Sequence, residues 1–257
     1  WGDEEALNML VKHRFLCNRS MRIIGEATGL HLLGVIGDSP LVVIGWDRRD
    51  ANNALVDALE SGLCASGCRT LRLGEVPTPG LHHAIFCTAA DAGMMVTASH
   101  NPASDSGVKL FDQNGYKSMP SAEENISSLA WMLADGGLAA PQESGEKLDE
   151  IDGLKLYRSG LKFRLDAFED LLGIHFEESD WNRIIPAQGL ILDCSGGAAA
   201  DWLDEGLSRR GLLAIEVSNR LDPINENCGA GGLSPTDVWS YEDLTLNPQE
   251  HRLLWTL

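Results

Sequence analysis

The sequence predicts an α/β fold: a three-layer α/β/α domain on a mixed, mostly parallel sheet, followed by the start of a second, similar α/β domain. Three observations carry this. Apolar runs such as LVVIGW (41–46) and GMMVTA (93–98) are unbroken, as strands buried on both faces are. Between them lie helix-length amphipathic segments, and ALVDALESGLCASG (54–67) closes on glycine as helices do. The same strand–turn–helix order resumes at GLILDC (189–194). The expected domains are 1–147 and 148–257, and 257 residues suffice for two cores.

Taken in order, Glu4 to Leu33 has helical periodicity with a break near Asn18–Ser20. Strand 41–46 precedes the helix at 54–67, with Asp50 or Asn52 as its cap. TLRLGEV (70–76) is a strand, and Pro77 and Pro79 open a helix around 80–89. Strands follow at 93–98 and 107–112, with Gln113-Asn114-Gly115 as a turn. Ser121, with Glu124 three positions on, predicts a capping box for a helix to Leu133. The polar, Gly-, Pro- and Glu-rich stretch 134–149 reads as linker. A helix near 154–173, strand 189–194, a glycine-led helix over 195–211 and strand 212–217 make a second βαβ unit. One such unit is a poor independent domain, so the chain is expected to be a fragment or a truncated copy.

The net charge of -18 repels phosphate backbones and argues against a nucleic-acid partner. It also repels a phosphorylated small substrate, so any anion site must concentrate donors locally. No run is long and apolar enough for a membrane span, and the N-terminus lacks a signal pattern; the expected place is the cytoplasm. The six scattered cysteines read as buried free thiols, Cys64 and Cys68 sharing a helix face without a second pair to make a zinc set. Asp47-Arg48-Arg49-Asp50 reads as a self-paired surface cluster. Ser195-Gly196-Gly197 reads as tight strand–helix packing, and the seven tryptophans as core and interface residues.

The stretch GMMVTASHNPASDSGVKLF (93–111) carries the chemistry. Reactive groups in open α/β sheets sit in loops leaving the carboxyl ends of strands, and Ser99 occupies that place. Asn101-Pro102 prevents a helix from starting at once, so the loop should expose the Ser99 hydroxyl. A serine that carries phosphate needs such exposure, nearby donors against a charge of about -2, and a proton shuttle. His100 and Lys109 are the local candidates, and Asn101 is expected to close the loop by a side-chain-to-backbone bond.

Thr97-Ala98-Ser99-His100-Asn101-Pro102, followed by Gly107-Val108-Lys109, resembles the phosphoserine loop of the α-D-phosphohexomutases. VVIGWDRRD (42–50), GEVPTPGL (74–81), LILDCSGGAAADWL (190–203) and INENCGAGG (224–232) resemble further stretches of that family, so the likeness runs from about 40 to 232. The resemblance implies a phosphoryl transfer between the 1 and 6 positions of a hexose phosphate, through phospho-Ser99 and a bisphosphate intermediate. It favours phosphomannomutase or phosphoglucomutase activity, with phosphoglucosamine mutase as the alternative. It further implies Mg²⁺ bound through the Ser99 phosphate, a hexose 1,6-bisphosphate activator, Lys109 as a charge or proton-transfer group at the sugar hydroxyl, and His100 as loop-orienting or proton-transferring. A homo-oligomer is left open.

The sequence departs from the family at several points. Asp105-Ser106 stand where the family has Tyr-Asn, and the N-terminal Gly-Thr-Asp-Gly stretch and the Asp-Gly-Asp-Gly-Asp-Arg metal loop are not found. The competing expectations are a catalytically incomplete remnant that binds a phosphosugar or a partner, and a serine hydrolase using Ser99. The second is disfavoured because no Gly-x-Ser-x-Gly elbow surrounds Ser99.

Overall fold

The computed structural model describes residues 2–137, 145–173, 189–218, 221, 223–226, 228, 236 and 238–246. Two compact units emerge: Trp1–Thr97 with Ser106–Gly160, and Ala98–Asp105 with Leu161–Leu257.

In the first unit, α1 (Asp3–His13) and α2 (Asn18–Ile36) lead into β1 (Leu41–Trp46). The helix break falls just before the expected place, where Arg14 turns left-handed at φ 56°. Then come α3 (Asn52–Ala65), β2 (Arg69–Glu75), α4 (Thr78–Thr88), β3 (Ala92–Val96), β4 (Val108–Asp112), α5 (Pro120–Ala134) and the first residues of α6 (Gly153–Leu172), whose residues from Leu161 onward belong to the second unit. The four-stranded sheet has the order β2-β1-β3-β4. β1 runs parallel to β2 and β3, while β4 returns antiparallel to β3. This is the mixed, mostly parallel sheet that the uninterrupted apolar runs predict.

Alternation along the strands divides the core into two layers. Val42, Ile44 and Trp46 of β1, with Met94 and Val96 of β3, pack against Met21, Leu55, Leu59 and Leu63 of α2 and α3. Leu41, Val43, Leu71, Leu73 and Met95 face the other way, onto Leu81, Ala84 and Ile85 of α4 and Leu154 and Leu156 of α6.

Helices α2 and α3 meet backbone to backbone. A Cβ on Gly25 would fall 2.3 Å from the Leu59 carbonyl oxygen, and one on Gly62 would fall 2.0 Å from that of Arg22. Main-chain atoms cannot swing aside, so the helices would have to separate. Gly62→Ala is expected to cost about 1–3 kcal/mol, as overpacking does. Urea unfolding checks this: the midpoint falls while the slope holds, and an unchanged midpoint would refute the close crossing.

Three sequence expectations are corrected. Part of the expected linker forms structure: Thr70 N–H donates to the Glu146 carbonyl at 2.8 Å, and the Leu148 and Ile151 N–H groups donate to Thr70 and Arg72 at 2.8 and 3.0 Å. The run thus covers the β2 edge, and buried Glu60 locks it by accepting Arg72 at 2.6 Å and Lys147 at 2.8 Å. Residues 138–144 of that expectation lie outside the described ones. Second, α5 begins at Pro120 with Met119 as its cap residue, so the Ser121–Glu124 box does not form. Proline at the first turn needs no donor partner there, which suits this earlier start. Third, Cys68 lies beyond the end of α3 and does not share a helix face with Cys64. All six thiols are free, and burial pushes Cys68 up to about 11, but Cys87 is exposed.

In the second unit, β5 (Leu190–Leu192) and β6 (Ala214–Glu216) pair in parallel in a two-stranded sheet. Helix α7 (Leu203–Ser208) lies between them in sequence, and α8 (Tyr241–Leu246) follows. The glycine-led helix expected over 195–211 is therefore a series of turns before one short helix. Trp202, Leu212, Ala214, Ile224 and Cys228 are buried, and Arg210 pairs with Asp166 and Glu169 of α6. Among the described residues, no helix is long and apolar enough to cross a membrane.

Candidate active site

The β1 and β3 strands end side by side, and a buried polar network sits at their carboxyl ends. Asp47 N–H donates to the Val96 carbonyl at 3.2 Å. The Asp47 carboxylate accepts Thr97 Oγ1 at 2.6 Å, Asn52 Nδ2 at 2.7 Å and Arg49 Nε at 3.2 Å. Asn52 Nδ2 also reaches the Val96 carbonyl at 3.2 Å. Asp47, Arg49, Asn52 and Thr97 are all buried, with relative exposures of 7%, 5%, 0% and 6%. The expectation of a self-paired surface cluster at 47–50 is corrected by this. Asp47 and Arg49 do pair, but inside the protein, because a strand buried on both faces delivers its next residues into the interior.

This network fixes both ends of the Ser99 loop. Thr97 N–H donates to the Gly107 carbonyl at 2.9 Å, and Ser106 Oγ donates to Asn52 Oδ1 at 2.6 Å. Asn52, a candidate cap in sequence, is instead the first residue of α3 and spends its amide on strand ends and loop. The departure at Asp105-Ser106 has a local use: Ser106 anchors to Asn52, and Asp105 accepts Asn101 Nδ2 at 3.2 Å.

Within the second unit, Asn101 N–H donates to the Ala98 carbonyl at 3.1 Å, which closes a β-turn over Ser99 and His100. Both are exposed. Ser99 takes φ 57°, the left-handed region, where a non-glycine residue is held at a cost of about 1–2 kcal/mol. Such outliers are over-determined by their surroundings and cluster at functional sites.

Lys109 belongs to the first unit. It lies on β4 opposite Met95, so it shares the sheet face of Met95 and Phe111 and is half-buried. The turn therefore brings Ser99 and His100 together, while Lys109 stands on a strand of the other unit.

On that same sheet face, His82 of α4 meets the Phe111 ring edge-on, centroids 4.5 Å apart. Its Nε2 is buried with no hydrogen-bond partner. Burial pushes the imidazole below its ordinary value, so the folded state favours neutral His82. The unfolded chain binds the proton more tightly, so stability is full above about pH 6.5 and declines as pH falls from there through the folded value. Melting temperatures across pH 8 to 5 should fall more steeply for the parent chain than for His82→Gln, and parallel curves would refute the assignment.

A cavity of about 400 Å³ opens in the first unit, walled mainly by apolar side chains such as Leu7, Met94, Leu110 and Trp131, with Lys109 and Lys117 also lining it. Among the described residues, no group of three or more His, Cys, Asp or Glu side chains could hold a metal ion.

Residues 12–133 match the family described as phosphoglucomutase/phosphomannomutase, alpha/beta/alpha domain I. Among curated proteins, a phosphoglucosamine mutase of Pelotomaculum thermopropionicum is 32% identical over 217 residues, 82% of this chain and 44% of that protein. One from Desulforamulus reducens is 31% identical over 212 residues, with 82% and 44% covered. The chain therefore spans less than half the length of these relatives. Among solved structures, a candidate phosphomannomutase from Thermus thermophilus aligns with a TM-score of 0.58 and 28% identity, over 88% of this chain and 46% of that one. A phosphoglucomutase/phosphomannomutase family protein from Burkholderia thailandensis, TM-score 0.54 and 23% identity over 78% and 40%, shares the fold.

Proposed function

We propose that this chain, which belongs to the α-D-phosphohexomutase family over its N-terminal portion, carries a transferable phosphoryl group on Ser99. The observation that supports the reading is an exposed, left-handed serine on a tight turn shortly after β3. A serine fixed and exposed in this way loses little freedom on meeting a sugar phosphate, and such positioning is a large part of phosphoryl-transfer catalysis.

The proposed step moves phosphate from Ser99 Oγ to a hydroxyl of a hexose phosphate. The P–Oγ bond breaks, a P–O bond to the sugar forms, and the proton lost by the sugar hydroxyl ends on Ser99 Oγ. The reverse step, from the other end of the bisphosphate, reloads the serine. His100, beside Ser99 on the turn, is assigned to loop orientation or proton transfer. Lys109 is assigned to cationic or proton-transfer help at the sugar hydroxyl. The substrate class is a hexose phosphate. The curated relatives named above move the choice of sugar toward the glucosamine phosphate that was the alternative in sequence. Mg²⁺ stays in the proposal only as a ligand of the serine phosphate, with no step drawn through it.

Exposure to a hexose 1,6-bisphosphate, followed by intact-mass measurement and phosphopeptide mapping, tests the proposal. One phosphoryl group on Ser99 supports it. An unlabelled Ser99 in the folded chain, or label at another serine, overturns it.

A further inference from the structure

Asn225 stands far from Ser99 in sequence, yet its side chain reaches the Ser99 turn. Both belong to the second unit. Asn225 Nδ2 donates to the Ser99 carbonyl and to the Asn101 carbonyl, each at 2.8 Å. One amide nitrogen therefore uses both protons on the two carbonyls that flank the His100 peptide.

Asn225 is itself held. Its N–H donates to the Ser195 carbonyl at 2.9 Å, at the turn that follows β5. Its neighbour Ile224 is buried at 5% exposure, as is Cys228 at 1%. The residue takes φ 63°, a left-handed conformation that asparagine tolerates better than most residues. The second unit's sheet end, a buried anchor and the serine turn are thus linked at one residue.

We infer that Asn225 is a positioning residue for Ser99: its amide clamps the turn and holds the serine in the left-handed conformation that presents the hydroxyl. The inference rests on the reading of Ser99 as the phosphate carrier, and it explains what balances the strain of a left-handed serine. Without the clamp, rotation of the Ser99–His100 peptide relieves the strain and swings the hydroxyl away. A residue serving only as a left-handed turn former would behave differently, because aspartate and glycine both accept that backbone. Neither supplies an amide donor.

The test compares Asn225→Asp and Asn225→Gly with the parent chain by amide hydrogen exchange and by phosphate uptake from a hexose 1,6-bisphosphate. Both variants are expected to exchange tenfold or more faster at residues 99–101 while strands β1 and β3 stay protected. Both should load phosphate at least tenfold more slowly at saturating bisphosphate, with half-saturation little changed. Unchanged exchange in the two variants overturns the clamp. Faster exchange with undiminished loading overturns the positioning role. If the parent chain takes no phosphate, the parent proposal fails and exchange alone decides the clamp. Should Asn225→Asp not fold, Asn225→Gly carries the same comparison, since it removes the donors and relaxes the backbone.

Discussion

Ser99→Ala is expected to take up no phosphate from a hexose 1,6-bisphosphate, and Ser99→Gly none either, but the two variants should part on stability. Alanine keeps a Cβ in the left-handed region and retains the strain of the serine. Glycine removes the Cβ, so Ser99→Gly should gain about 1 kcal/mol over Ser99→Ala, once the extra freedom of glycine in the unfolded chain is set against the relieved strain. Mass spectrometry reads the first half of the expectation and urea unfolding the second. Phosphate remaining on the alanine variant would place the carrier elsewhere. Equal stability of the two variants would show that the turn relaxes without serine.

Asp47→Ala is expected to be the most damaging single change to the fold. Its carboxylate, at 7% exposure, is the shared acceptor for Thr97, Asn52 and Arg49. Breaking a buried pair by removing one partner costs about 3–5 kcal/mol, because the charge left behind was desolvated for that partner. Asp47→Asn keeps the shape and an acceptor oxygen but withdraws the charge opposite Arg49, so it should fall between the parent and the alanine variant. The damage should spread to the serine loop, since Thr97 and Ser106 flank it and both belong to the network. Unfolding midpoints rank the three proteins. An alanine variant within about 1 kcal/mol of the parent would contradict the buried network.

The parts of the site legible in sequence share one property: their chemistry is local. Ser99, His100 and Asn101 lie in a string whose strand-end position follows from the apolar run before it. Exposure of Ser99 follows from a chain that must leave the sheet and cannot begin a helix before Pro102. The polar network at the ends of β1 and β3 escapes a sequence reading because Asp47, Arg49 and Asn52 meet Thr97 and Ser106 only across some fifty residues. A charged quartet such as 47–50 is usually solvated. The available signal was that β1 is buried on both faces, so that a carboxylate directly after it starts out in the interior. Asn52 as a helix cap was a reasonable reading of residue type, overruled when strand ends claimed its amide.

The covering run at 145–151 and the contact from Asn225 teach the same point. Polar, glycine-rich composition marks 145–149 as linker, yet the exposed edge of β2 supplies unpaired backbone groups that any neighbouring chain can satisfy. INENCG announces kinship to a family, but nothing in its letters says that the amide at 225 reaches two carbonyls at 2.8 Å.

By itself the sequence determined the period of most segments, and with it most strands and helices, their order and the placing of Ser99 after β3. Periodicity is a property of neighbours along the chain, so it is written there in full. Which donors meet which acceptors across long separations was decided only by tertiary structure. Those pairings appear once the sheet brings strand ends together, where each buried polar group must take the partner within reach.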